Sequence, residues 1–328
     1  MNEPSTNLTS SQKVLETKSV KLHNRVMFDL YSLYIIIKKT ITFDLYSRLK
    51  LSLTLIFMVL GSTLFIIFIE PSYFLEDTSL NVLIGLFQVF ISYCIIFAIV
   101  LTASSASLIS EEIKTKTMVL LVSKPITRNS IVFGKYLAIL IYGLGIIIMD
   151  LGLVCLITFL KHPFYDLIPF FYLHFIYSWI VIFFFSTISI GFSLLSNNPK
   201  VSTLIPIILI FITFLGFFAF KPALLYATTP EGVSYYEAFQ VYHYDLGYHF
   251  INVYDWMYSN LVSPIPLELI YWLSGWGIYK VIFDDILSEP VVTRTNYYAP
   301  QFSLLYLIVI ALVILILGYI IFKRKDIK

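Results

Sequence analysis

Charge is scarce in this chain: Asp, Glu, Lys and Arg together make up 13% of 328 residues. Soluble domains carry about 25%. A water-soluble globule of this length needs a polar surface, and these residues are too few to build one. The hydrophobic fraction of 59% also excludes a disordered chain. A net charge of +2 gives no basic surface for nucleic acid, so no nucleic-acid partner is expected. Cysteine is nearly absent, and Cys94 and Cys155 both sit in apolar runs, which speaks against a disulfide framework or a thiolate metal site. The sequence has no H-E-x-x-H motif, no intramembrane aspartate pair and no Ser/His dyad, so nothing points to catalysis within the membrane. It has no G-x-x-x-x-G-K-[ST] phosphate loop and is not itself a phosphate-loop ATPase. The first 50 residues hold no apolar core followed by a small-residue cleavage site, so no cleavable signal peptide is expected.

What the sequence has is apolar length. A bilayer core about 30 Å thick takes about 20 helical residues. Six runs meet that need: Leu51–Ile69, Leu80–Ile109, Ile131–Leu160, Leu167–Leu195, Val201–Phe220 and Ser303–Phe322. The expected fold class is therefore an all-α integral membrane protein with six transmembrane helices. Lys and Arg set the orientation, because they concentrate on the cytosolic side. With both termini cytosolic, 18 of the 22 fall inside; Lys161, Lys221, Lys280 and Arg294 fall outside. Leu267–Phe283 is apolar enough for a seventh crossing, but that would move the Lys323–Lys325 cluster outside. It reads instead as an interfacial or re-entrant helix.

These spans divide the chain. Residues 1–50 form a cytosolic region with an amphipathic interfacial helix, marked by Tyr31, Tyr34 and Tyr46 among Lys38, Lys39 and Arg48. Residues 51–220 hold spans one to five, including a cytosolic connection at 110–130. Residues 221–302 form an extracellular segment rich in Tyr and Trp, expected to be helical, broken near Pro264 and Pro266, and placed over the outer mouth of the bundle. Residues 303–328 hold span six and a basic tail.

Ionisable residues inside spans are costly and default to functional candidates. Gln88, Asp150 and His174 lie at similar depth in spans two, three and four, and the short link at 161–166 makes spans three and four antiparallel neighbours. The three form a candidate intramembrane polar cluster, for helix packing or for lining a path. His243, Asp245 and His249 are metal-ligand types, but their spacing matches no zinc pattern, and no metal site is expected.

The most informative stretch is Ser107–Ala138, SLISEEIKTKTMVLLVSKPITRNSIVFGKYLA. Ser110 can cap a helix whose positive end carries Glu111 and Glu112. Met118, Leu120, Leu121 and Val122 give a short apolar face, Lys124-Pro125 ends the helix, and Thr127-Arg128-Asn129 turns the chain into the next span. A short amphipathic helix between two spans can receive a push from a soluble partner, or it can be a plain connector.

This stretch resembles the hallmark of ABC-2 type transporter permeases, the membrane subunits of ATP-binding-cassette exporters. Their pattern is roughly I-S-x-E, G-T, L-x-S-x-P-I-[ST]-R and G-K. Ile109-Ser110-Glu111-Glu112, Thr117, Leu121, Ser123, Pro125-Ile126-Thr127-Arg128 and Gly134-Lys135 match it in order and spacing. The departure is Lys116, where the family usually has Gly. The motif covers about a tenth of the chain; the layout of spans and outer segment covers most of it.

The resemblance implies a transport subunit without catalytic residues, in a plasma-membrane exporter. It implies a homodimer or a heterodimer with a second permease, each docked on a cytosolic ABC ATPase. ATP and Mg would be used by that partner, with no cofactor bound by this chain. Ser110, Glu111, Glu112, Thr117, Met118, Leu121, Ser123, Pro125, Ile126, Thr127, Arg128, Gly134 and Lys135 would form the ATPase-coupling segment, with Glu111 and Glu112 facing basic residues of the ATPase. An anchor or assembly protein using the same fold without translocating a substrate is the alternative.

Overall fold

The computed structural model describes residues 30–46, 48–68, 85, 87–117, 127–161, 167–261, 267–282 and 291–325. They are mostly helical. Helix α1 spans residues 30–39 and continues into a π-helical turn, Thr40–Leu45. Helix α2 is Arg48–Phe68, α3 comprises π-helical Gln88–Phe97 and α-helical Ala98–Ser105, and α4 is Leu108–Lys114. The long helices α5, Arg128–Lys161, and α6, Leu167–Leu195, follow. Helix α7, Pro199–Ile210, runs through π-helical Phe211–Gly216 into α8, Phe217–Tyr226. The last long helix is α12, Pro300–Arg324.

Among the described residues, five helical segments are long and apolar enough to cross a membrane: Gln88–Lys114, Arg128–Leu160, Leu167–Leu195, Pro199–Gly216 and Pro300–Arg324. The first expected span falls largely on α2, Arg48–Phe68, with the apolar stretch Lys50–Thr63 inside it. Part of the second expected span, residues 80–84 and 86, lies outside the described residues.

The spans pack through small residues as well as large ones. A Cβ on Gly318 of α12 would stand 2.5 Å from the Gly191 carbonyl oxygen of α6, and one on Gly191 would stand 2.7 Å from Ile314. Only glycine lets these two backbones approach so closely, which is the usual device where no hydrophobic effect drives helices together in lipid. Many outward faces are apolar, with Ile148, Leu204, Leu305 and Ile316 exposed.

The segment after α8 folds over one end of the bundle. It contains α9, Tyr235–Ala238, α10, Leu246–Leu261, and α11, Leu267–Ser274. The stretch at Leu267–Phe283 departs from the expected interfacial or re-entrant helix. The helix stops after eight residues, and Gly277, at φ +76, closes it in the left-handed conformation glycine adopts without strain. The amide of Ile278 then donates to the Leu273 carbonyl at 3.1 Å. The β-rich Tyr279–Ile282 forms β1, antiparallel to β2, Val291–Arg294. Phe283, Pro264 and Pro266 lie outside the described residues.

This cap is fixed to α8 by a buried charge pair. Lys221 and Asp245 are both fully buried and form an ion pair. The Lys221 ammonium lies 5.0 to 5.8 Å from the ring centroids of Trp276, Tyr236 and Tyr248, so three aromatic faces replace its lost water. Tyr236 donates its hydroxyl to Asp245 at 2.8 Å, and the Tyr248 amide donates to the same carboxylate at 3.0 Å.

Candidate functional site

The motif stretch lies at the basic ends of the helices and is built from the end of α3 onward. The chain turns at Ala106-Ser107 and re-enters helix at Leu108. This differs from the expected start at Ser110. The orphan amides of the new helix find their acceptor elsewhere: Ser193 Oγ, from α6, accepts from the amides of Ile109 and Ser110 at 3.0 and 3.2 Å. Ser110 is buried one turn in, and its hydroxyl pairs with that of Ser202 on α7 at 2.8 Å. The expected local cap is thus supplied by another span, and Ser110 staples α4 to α7.

Helix α4 ends in the left-handed conformation at Lys116, φ +60. This is the position where the family pattern carries glycine. A lysine there holds the turn at roughly 1–2 kcal/mol of backbone strain. Thr117 follows, exposed, with its hydroxyl 3.0 Å from that of Thr115.

The two glutamates part company. Glu111 is exposed. Glu112 was expected to face a partner but turns inward. Its carboxylate meets Lys135 of α5 at 2.7 Å and Lys39 of α1 at 3.2 Å. Lys135 is 2% exposed, and its ammonium also donates to the Leu108 carbonyl at 2.7 Å. One carboxylate therefore ties α1, α4 and α5 together. Gly134 completes the joint: a Cβ there would stand 2.7 Å from Ile36 of α1, so its absence lets α1 lie against α5.

Thr127 starts α5. Its hydroxyl accepts from the Ser130 amide at 3.1 Å, and its carbonyl accepts from the Ile131 amide. Arg128 donates to the carbonyls of Lys323 and Lys325 at 3.4 and 3.2 Å, so it caps the end of α12. Lys325 in turn donates to the carbonyls of Leu194 and Leu195, at the end of α6. Cations at helix C-termini suit both the orphan carbonyls and the helix dipole. Met118, Leu121, Ser123, Pro125 and Ile126 lie outside the described residues.

Within the bundle, Gln88 and Asp150 meet: the Gln88 amide donates to the Asp150 carboxylate, and both side chains are fully buried. His174 is buried at the same level, but its bonds run elsewhere. Its Nδ1 reaches the Phe170 carbonyl at 2.8 Å, and its Nε2 lies 3.4 Å from both the Gly85 carbonyl and the Tyr254 hydroxyl. Tyr254 belongs to α10, so His174 joins the bundle to its cap. Sequence reading found the three polar residues but missed Tyr254, because no local pattern links it to the spans.

His243, Asp245 and His249 do not converge. His243 pairs with the Tyr298 hydroxyl, Asp245 with Lys221, and His249 Nδ1 with Ser303 Oγ at 3.0 Å. Burial lowers the His249 pKa to about 4, so the ring is neutral at neutral pH. Among the described residues, no three His, Cys, Asp or Glu side chains gather to hold a metal.

No curated protein matches the chain. A family model described as ABC-2 family transporter protein matches residues 34–327. That span begins inside α1 and runs past α12, so it takes in the whole anchored motif and every apolar helix described above. The chain is a multi-pass membrane protein that belongs to the ABC-2 transporter family, a family of membrane subunits that work with separate ABC ATPases.

Proposed function

We propose that this chain is the permease subunit of a plasma-membrane ABC exporter. It spans the bilayer six times with both termini cytosolic, and pairs with a second permease as a homodimer or heterodimer. A cytosolic ATPase subunit binds ATP and Mg, and residues 110–130 carry its closure to the spans. The domain limits follow: a cytosolic lead-in to residue 50, spans one to five to residue 220, an extracellular cap to 302, then span six and its tail.

The observation that carries this reading is the rooting of the motif. Glu112 links α4 to α1 and α5, and the pairs of Ser110 with Ser202 and of the α4 amides with Ser193 link it to α7 and α6. A segment held at one end by four helices moves them when it is pushed. Glu111 and Thr117 are exposed beside these anchors, and in this scheme they are the groups offered to the ATPase. Gln88 and Asp150 serve helix packing in this scheme, since their pair is buried between α3 and α5.

Co-purification with an ABC ATPase subunit from the same cells, followed by reconstitution into vesicles, tests this. The permease should stimulate ATP hydrolysis, and Glu111→Arg should weaken the complex by about tenfold, the effect of about 1.4 kcal/mol from a reversed interface charge, while the chain stays folded. A folded chain that never binds an ATPase would overturn the reading. Binding and stimulation with no cargo crossing would instead favour an anchor of the same fold.

A further inference from the structure

We infer that a groove between α5 and α12 is a binding site for an anionic glycerophospholipid of the leaflet at the Lys323 end. The inference rests on the permease reading only in naming that leaflet cytosolic. The groove is a cavity of about 370 Å³, lined by Val132, Phe133 and Tyr136 of α5, Leu312, Ile316 and Tyr319 of α12, and Phe183 of α6 at its back. This falls within the ~300–1,000 Å³ range of small-molecule sites.

Chemistry changes along the groove in a fixed order. Leu312 to Tyr319 is seven residues, about 10 Å of helix, and this part is apolar. At its end, Tyr319 donates its hydroxyl to Asn129 at 2.7 Å, which leaves the Asn129 amide N–H groups to donate to an ester. Lys323 lies four residues beyond Tyr319, hence on the same face and one turn further out. Arg128 adds a second cation at this helix end, since it bonds the Lys323 carbonyl. Among the described residues both Arg128 bonds come from Nη1, so Nη2 and Nε stay available to an anion, and the exposed Lys323 ammonium makes no bond. Arg324 and Lys325 follow Lys323 directly in the chain and add to the positive charge there. Apolar wall, neutral polar step and cationic mouth match acyl chain, glycerol ester and phosphate in order. The mouth's positive charge favours a headgroup with a net negative charge over a zwitterionic one.

The test uses the full chain in nanodiscs with equal dioleoyl phosphatidylglycerol and dioleoyl phosphatidylcholine. Lipid retained after extraction into detergent is counted by native mass spectrometry. Phosphatidylglycerol should be retained in excess, and Lys323→Gln should cut that excess about fivefold, the factor that about 1 kcal/mol per surface cation gives. Ile316→Trp, which puts a larger side chain at an exposed wall position, should reduce retention of both lipids. Equal retention of the two lipids, or an excess that Lys323→Gln leaves unchanged, overturns the proposal. So does an Ile316→Trp chain that keeps its lipid but changes from dimer to monomer, since the occupant is then a second copy. A separate Lys323→Cys chain, treated with an impermeant maleimide on intact cells, should stay unlabelled. Labelling would overturn the orientation alone and leave the lipid count standing.

Discussion

Lys135 carries a charge into a nearly closed site, and Glu112 is what makes that tolerable. Buried ions are costly unless paired, and removing one partner costs more than removing both. Glu112→Gln should therefore lower unfolding stability by about 3–5 kcal/mol. Glu112→Leu combined with Lys135→Met should recover most of it. Denaturant titration in detergent reads both. His249 gives a second residue-scale test. Its pKa lies at about 4 in the folded chain against 6.5 when unfolded. The unfolded chain thus takes up the proton first, so the His249 contribution is complete above pH 6.5 and is lost as pH falls towards 4. The midpoint of thermal unfolding should drop between pH 7 and 4.5, by more in the wild type than in His249→Gln. Equal slopes would contradict the assignment. The residue types at the motif were legible in the sequence, but their directions were not. Glu111 and Glu112 look alike in a string. Only the arrival of Lys39 and Lys135, 73 and 23 positions away, turns one of them inward.

At the scale of elements, apolar periodicity and length made the long helices readable. Their ends were less so. The expected third run starts at Ile131, yet α5 begins at Arg128, because Thr127 caps it and Arg128 bonds across to α12. The β1–β2 pair was missed because Leu267–Phe283 is mostly apolar, with Glu268 and Lys280 the only charges in it, and such a run alone does not separate helix from strand. Gly275 and Gly277 were the available signal. Gly191 and Gly318 could not be paired from sequence, since nothing local says which spans touch. Their contact makes an element-scale prediction. Gly318→Leu should push α6 and α12 apart and destabilise by about 1–3 kcal/mol or more, as overpacking does. Gly152→Ala, where a new Cβ meets nothing within 4 Å, should cost nothing. Thermal unfolding of the two variants side by side checks this, and equal behaviour would contradict the close crossing.

For the whole molecule, scarcity of charge said membrane, and the family match over residues 34–327 agrees. The layout says how a push at one end reaches the other. Helix α4 is tied to α1, α5, α6 and α7 at the basic end, and the cap is tied to α6 through Tyr254 and His174 and to α8 through Asp245 and Lys221. None of these ties was visible in the sequence, because each joins residues far apart along the chain. Together they make α6 a continuous link from the motif to the cap. The measurement that tests the central claim most directly is site-specific crosslinking to the ATPase subunit. A photoreactive group at Glu111, exposed beside the anchored helix, is compared with one at Phe239, 68% exposed on the cap. The account predicts an ATP-dependent crosslink to the ATPase from position 111 and none from 239. A crosslink from 239, or none from 111 in a complex that still assembles, would contradict it.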